Sequence, residues 1–174
     1  MLWKPIFILS LSFIAFGQQP PQLKMPGEWQ SDSLPRELTE TETQTILKEH
    51  NPKPHVDATI KVSNARLASA FSLVDQSQYK SAALDVDVYA ALIVYADTYT
   101  RKLPDSQIKD RNNCLKKIEQ AILKQSRTVE TVLREFPADY RDMVDTKIGQ
   151  VKKIRLRAIN DLLGDGKIIK TSDE

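Results

Sequence analysis

One cysteine, Cys114, is all the chain has, so no intramolecular disulfide is possible and the fold must hold by core packing. Glycine is nearly as scarce. Five glycines in 174 residues are too few for a β-sandwich or barrel, whose turns recur about every 8–12 residues. There is no C-x-x-C-H run for haem attachment, no H-E-x-x-H for a zinc protease and no Glu-x-x-His pair for a di-iron bundle. A glycine-rich phosphate loop and a G-x-S-x-G nucleophile elbow are missing too. These absences remove the signatures of several enzyme and cofactor classes. No catalytic residue, metal ligand or cofactor is therefore expected, and the chain reads as a non-enzyme.

What is present begins at the N-terminus. Lys4 precedes an apolar run from Ile6 to Phe16, too short to span a bilayer stably, and Ala15 and Gly17 sit where a signal peptidase reads small side chains. Residues 1–17 are expected to be a signal peptide cleaved before Gln18, with no stable membrane span afterwards and a periplasmic or extracellular location. A retained anchor is the competing reading. With no cysteine near the cleavage point, no lipid attachment is expected.

Net charge is close to zero but unevenly spread. Residues 18–100 hold 7 Lys/Arg against 11 Asp/Glu, and residues 101–157 hold 15 against 8. Two explanations compete: halves that pack with complementary surfaces, or a basic face for an anionic partner. The cations of the second half include Lys116, Lys117, Lys124, Arg127, Lys147, Lys152, Lys153, Arg155 and Arg157, which face several directions with almost no interleaved aromatics. Nucleic acid is not expected.

Composition rich in Ala, Leu, Ile, Lys, Glu and Gln favours helix. Residues 18–37 read as a linker punctuated by Pro20, Pro21, Pro26 and Pro35, with Trp29 inside it. Residues 38–166 read as a single α-helical domain and 167–174 as a tail. Thr39 with Glu42 three residues on forms a capping box for a short helix ending by about His50, before Pro52 and Pro54. Asp57 is expected to cap a long helix over about 57–76 with the stripe Ile60, Leu67, Phe71 and Val74, and Gln76-Ser77-Gln78 to break it.

The next helix, about 79–102, is apolar almost all round from Ala82 to Ala96, which marks the buried centre of a bundle. Pro104 and Asp105 open a third helix with a heptad of Ile108, Leu115, Ile118, Ile122, Val129, Val132 and Phe136, interrupted by Arg111 and Gln125. Pro137 follows, and a fourth helix carries Tyr140, Val144, Ile148, Val151, Ile154, Ala158 and Leu162, with Gly164 closing it. The fold class is all-α: three to four long antiparallel helices with a short N-terminal helix.

Few residues invite chemistry. His50 and His55 flank Asn51-Pro52-Lys53-Pro54, with Glu49 and Asp57 near, so a metal site there requires this loop to make them converge. Asp87 and Asp97, ten residues apart, share a face of the apolar helix, whereas Asp85 points elsewhere. Arg101, four residues after Asp97, is its natural partner. Tyr89, Tyr95 and Tyr99 read as a core belt with hydroxyls at the rim, and Cys114 as a buried or half-buried thiol.

Two resemblances add to this. Ala65-Arg66-Leu67-Ala68, followed by the Ala- and Tyr-rich stretch Ala82 to Tyr95, resembles exported bacterial helical-hairpin domains of unknown function over about 56–103. That likeness implies an α-hairpin and no active residues. Leu38-Thr39-Glu40-Thr41-Glu42 is similar to the start of the L-T-x-x-Q motif of periplasmic stress chaperones such as Spy and CpxP, with Glu42 standing where they have Gln. The expectation is an exported helical bundle acting by protein binding or as an accessory envelope component, with an unidentified protein partner and a possible homo-oligomeric state. The alternatives are a periplasmic stress chaperone or sensor, and a metal-binding protein or enzyme using the His50/His55 loop.

Overall fold

The structure is a computed structural model that describes residues 33–164. The expected signal peptide, most of the linker with Trp29, and the tail lie outside the described residues. Five α-helices, with no strand among the described residues, pack against one another: α1 (Glu40–Leu47), α2 (Pro52–Asp75), α3 (Tyr79–Arg101), α4 (Ile108–Glu135) and α5 (Ala138–Leu163). The four long helices make the all-α bundle read from the sequence. No helix among the described residues is long and apolar enough to cross a membrane.

α1 starts on the expected capping box. The Glu42 amide donates to Thr39 Oγ1 at 3.2 Å, and the Thr39 amide donates to Glu42 Oε2 at 2.8 Å. α2 corrects the sequence reading: it starts at Pro52 with Asn51 as N-cap, and Asp57 is inside the helix. Proline breaks a helix by lacking an amide and crowding the preceding turn, but the first turn has unpaired amides and no preceding turn. Pro52 and Pro54 therefore begin the helix instead of delaying it.

The α2–α3 turn falls at the expected Gln76-Ser77-Gln78, with Ser77 in the left-handed region at φ 59°. Residues 105–107 form a single 3-10 turn before α4, another small correction. Pro137 separates α4 from α5, and the two helices fold back on each other as a hairpin. Gly164, at φ 79°, ends α5 with the backbone freedom only glycine has there.

α3 is the centre, as its composition predicts. It packs on α2, α4 and α5, and its core residues Val86, Val88, Tyr89, Leu92 and Ile93 are fully buried. The main core joins α3 to Leu67, Ala70 and Val74 of α2, Cys114, Ile118 and Ile122 of α4, and Val144, Ile148 and Val151 of α5. A second, smaller cluster of Ile46, Val62, Val88 and Leu92 fastens α1 across α2 and α3. Leu34 and Leu38 pack against this cluster, so the last residues of the expected linker lie on the bundle.

Phe71 and Ile108, placed in core stripes, are exposed at 38% and 54%, and Leu84, on the helix read as apolar almost all round, at 43%. α2 buries Val56, Thr59, Val62 and Ser63 instead, because it is wedged between α3 and α4 and turns two faces inward. Small hydroxyls are tolerated there: Thr59 donates to the His55 carbonyl at 2.9 Å and Ser63 to the Tyr89 carbonyl at 3.4 Å.

Candidate functional site

The interior carboxylates of α3 are the strongest candidates for chemistry, since a buried charge is costly unless something requires it. Each is met by a cation. Asp85 accepts from Arg66 Nη1 at 2.8 Å, and the same guanidinium reaches Glu42 at 2.7 and 2.5 Å and the Glu37 carbonyl at 3.2 Å. One arginine of α2 thus ties α1, α2 and α3 together. Burial pushes the Glu42 carboxyl up, but the bonds from Arg66 and the Thr39 amide outweigh it and hold its pKa below the ordinary value.

Asp87 pairs with Lys147 of α5 at 2.6 Å. Asp97 pairs with Arg101 at 3.0 Å, as the i,i+4 spacing predicts, and also with Arg157 of α5. Arg101 continues to Asp161 of α5 at 2.6 Å. Asp87 and Asp97 do share one face, the one turned to α5, while Asp85 faces α1 and α2. Ion pairs also join the acidic half of the sequence to the basic half. Carboxylates from the acidic half, Asp57, Asp87 and Asp97, receive Lys117, Lys147 and Arg157 from the basic half.

The histidines do not converge. His50 is exposed beyond the end of α1, whereas His55 is inside α2 and 6% exposed. The loop expected to carry both is therefore part helix. Both ring nitrogens of His55 are engaged, Nδ1 with the Glu49 carbonyl and Nε2 with the Tyr95 hydroxyl, each at 3.0 Å. Its ring stacks on Tyr99 with centroids 4.3 Å apart. Among the described residues no group of three or more His, Cys, Asp or Glu is placed to hold a metal.

Burial pushes the Cys114 thiol up to about 11, with Asp110 adding to it and Lys117 opposing, so the nucleophilic thiolate is scarce at neutral pH. Tyr89 is fully buried, and burial raises its phenol far above the ordinary value, so it stays protonated.

Clefts open on the surface of the described residues. One, of about 450 Å³, lies at the end of the bundle between Arg101, Ile108, Arg111, Asn112, Leu115, Asp161 and Gly164. Another, of about 320 Å³, runs beside Thr45, Lys48, Glu49, Asp57 and Lys61. The charges in the first answer one another: Arg101 is held by Asp97 and Asp161, and Arg111 by Asp105 at 3.2 Å.

Sequence reasoning missed Arg66, His55 and Asp161 as structural partners. The signal for His55 was available: the helical period, run backward from Val62 through Thr59, passes through Pro52–Val56. Compared with known proteins, the chain matches no family model, no curated protein and no solved structure.

Proposed function

We propose that this chain is an exported helical-bundle protein that acts by binding another protein, with no catalytic or metal-binding residue of its own. The observation that carries this reading is the state of the interior charges. A general acid or base must be poised near the working pH and within reach of substrate. Asp85, Asp87 and Asp97 are instead buried against cations of neighbouring helices, and both nitrogens of His55 are bonded. The polar interior supports the bundle, and contact with other molecules falls to the surface. Export is supported by Lys4, the apolar run to Phe16 and the Ala15/Gly17 pair.

The test uses protein purified from its native host. Mass spectrometry is expected to find a chain starting at or near Gln18, and elemental analysis no metal in stoichiometric amount. An intact Met1 in the cytosolic fraction overturns export, and one bound metal per chain overturns the statement that the chain has no metal-binding residue. A second reading, a stress chaperone similar to Spy and CpxP, is favoured by the exposed aliphatic side chains at Leu123, Leu156 and Leu163. It predicts suppression of client aggregation, which a binder for one partner does not show.

A further inference from the structure

Among the described residues, four of the seven large exposed apolar side chains, Ile108 at 54%, Leu123 at 47%, Leu156 at 41% and Leu163 at 59%, belong to α4 and α5. Their helical positions place the three leucines on one side of the hairpin. On α4, Lys117 and Gln125 point to α2, while Glu119 points to α5, where it bonds Arg155 at 3.0 Å. Successive residues turn by about 100°, so Leu123 lies about 40° from Glu119 on the outward side, whereas Ile108 lies about 20° from it towards the core stripe, one heptad before the buried Leu115. On α5, Lys147, Arg157 and Asp161 point to α3 and Arg155 to α4. Leu156 and Leu163 fall on the Arg155 side, turned further outward. Leu123, Leu156 and Leu163 therefore line the outer valley between two antiparallel helices, while Ile108 lines the cleft of about 450 Å³ at the end of the bundle.

We infer that this valley is a docking groove for an amphipathic helix with acidic flanks, supplied by a partner protein. The inference rests on the binding reading above and names its site and partner class. Levelled at the Glu119–Arg155 contact, Leu123 and Leu163 are about 18 Å apart along the groove, which seats about three turns of helix. Its rim is basic: Lys109, Lys116, Lys152 and Lys153 are exposed beside it, and the carboxylate within it, Glu119, is bonded to Arg155. An apolar strip between lysines matches leucines flanked by glutamates. A second copy of the chain fits poorly, because an isologous contact sets these lysines against themselves. A lipid surface also fits poorly, because the strip has no Trp or Phe of the interfacial kind.

The probe is a fluorescent 16-residue helical peptide with leucines on one face and glutamates elsewhere, titrated against the full chain by anisotropy. A control peptide keeps the leucines and replaces Glu by Lys. The Glu peptide is expected to bind, more weakly as salt rises, and the Lys peptide to bind at least about tenfold more weakly. Leu123→Ser/Leu156→Ser, with unchanged circular dichroism, is expected to weaken the Glu peptide at least about tenfold. Lys116→Gln/Lys152→Gln/Lys153→Gln is expected to weaken it and flatten its salt dependence.

Equal binding of both peptides, or no effect of either variant, overturns the groove. So does a dimer in sedimentation that Leu123→Ser/Leu156→Ser dissolves, or stronger binding to phosphatidylglycerol vesicles than to the peptide. A photoreactive residue at position 156 or 71, tested in the native host, separates the two levels. Protein adducts from 71 but not 156 overturn this groove and leave the binding reading standing, and adducts from neither overturn both.

Discussion

Leu92→Ala tests the second core cluster. Leu92 is fully buried on α3 and packs with Ile46 of α1, Val62 of α2 and Val88, with Leu34, Leu38 and Tyr95 at the edge. Truncating a buried leucine removes its transfer free energy and leaves a cavity, together about 2–5 kcal/mol. Two features place this site in the lower half of that range, near about 3 kcal/mol. The cluster has four buried members against twenty-one in the main core. Its lid is also α1, an eight-residue helix that can settle inward, and collapse reduces the cavity cost.

The loss should also be local. α1 is held by Ile46 and by the Arg66–Glu42 bonds, so amide exchange in α1 should accelerate before that in α4 or α5. Urea unfolding followed by circular dichroism measures the first effect, and native-state hydrogen exchange the second. A cost below about 0.5 kcal/mol, the level of surface sites, refutes a central position for this helix. Uniform acceleration in every helix refutes a loss confined to α1.

Further outcomes follow from the polar interior. Arg66→Ala leaves Asp85 buried without its cation, which costs about 3 kcal/mol, and adding Asp85→Asn should recover part of it; no recovery contradicts the pair. Because the folded pKa of Glu42 is below its unfolded value, its contribution is complete above about pH 4.5 and is lost as pH falls through the folded value. The stability gap between wild type and Glu42→Gln should therefore be widest at neutral pH and narrow as pH falls below about 4.5; a constant gap contradicts this. The Cys114 thiol should react slowly with iodoacetamide at pH 8 and quickly in denaturant, and equal rates count against its burial.

Periodicity made much of the architecture legible. The α4 heptad from Leu115 to Val132 and the α5 stripe from Val144 to Ala158 are buried as written, because each helix has one face to bury. α2 was less legible because it has two: Phe71 fits a single stripe, yet burial follows Thr59 and Ser63, whose hydroxyls hide their role. The start of α2 was obscured by prolines, which read as breakers until their place in the first turn is known. Asp97–Arg101 was visible because i,i+4 geometry is local, whereas Arg157 and Lys147 meet α3 across 60 residues of chain. For the same reason the charge asymmetry was visible but its pairing was not.

The central claim, that these interior charges hold the bundle together across its two halves, is tested most directly at Asp87 and Lys147, whose side chains are 8% and 15% exposed. The measurement is a double-mutant cycle by urea unfolding with Asp87→Asn, Lys147→Met and the double variant. The expected result is a large loss in each single variant and a double variant close to the better of them, with a coupling of at least about 1 kcal/mol. Strictly additive losses mean that α3 and α5 are not joined by this pair.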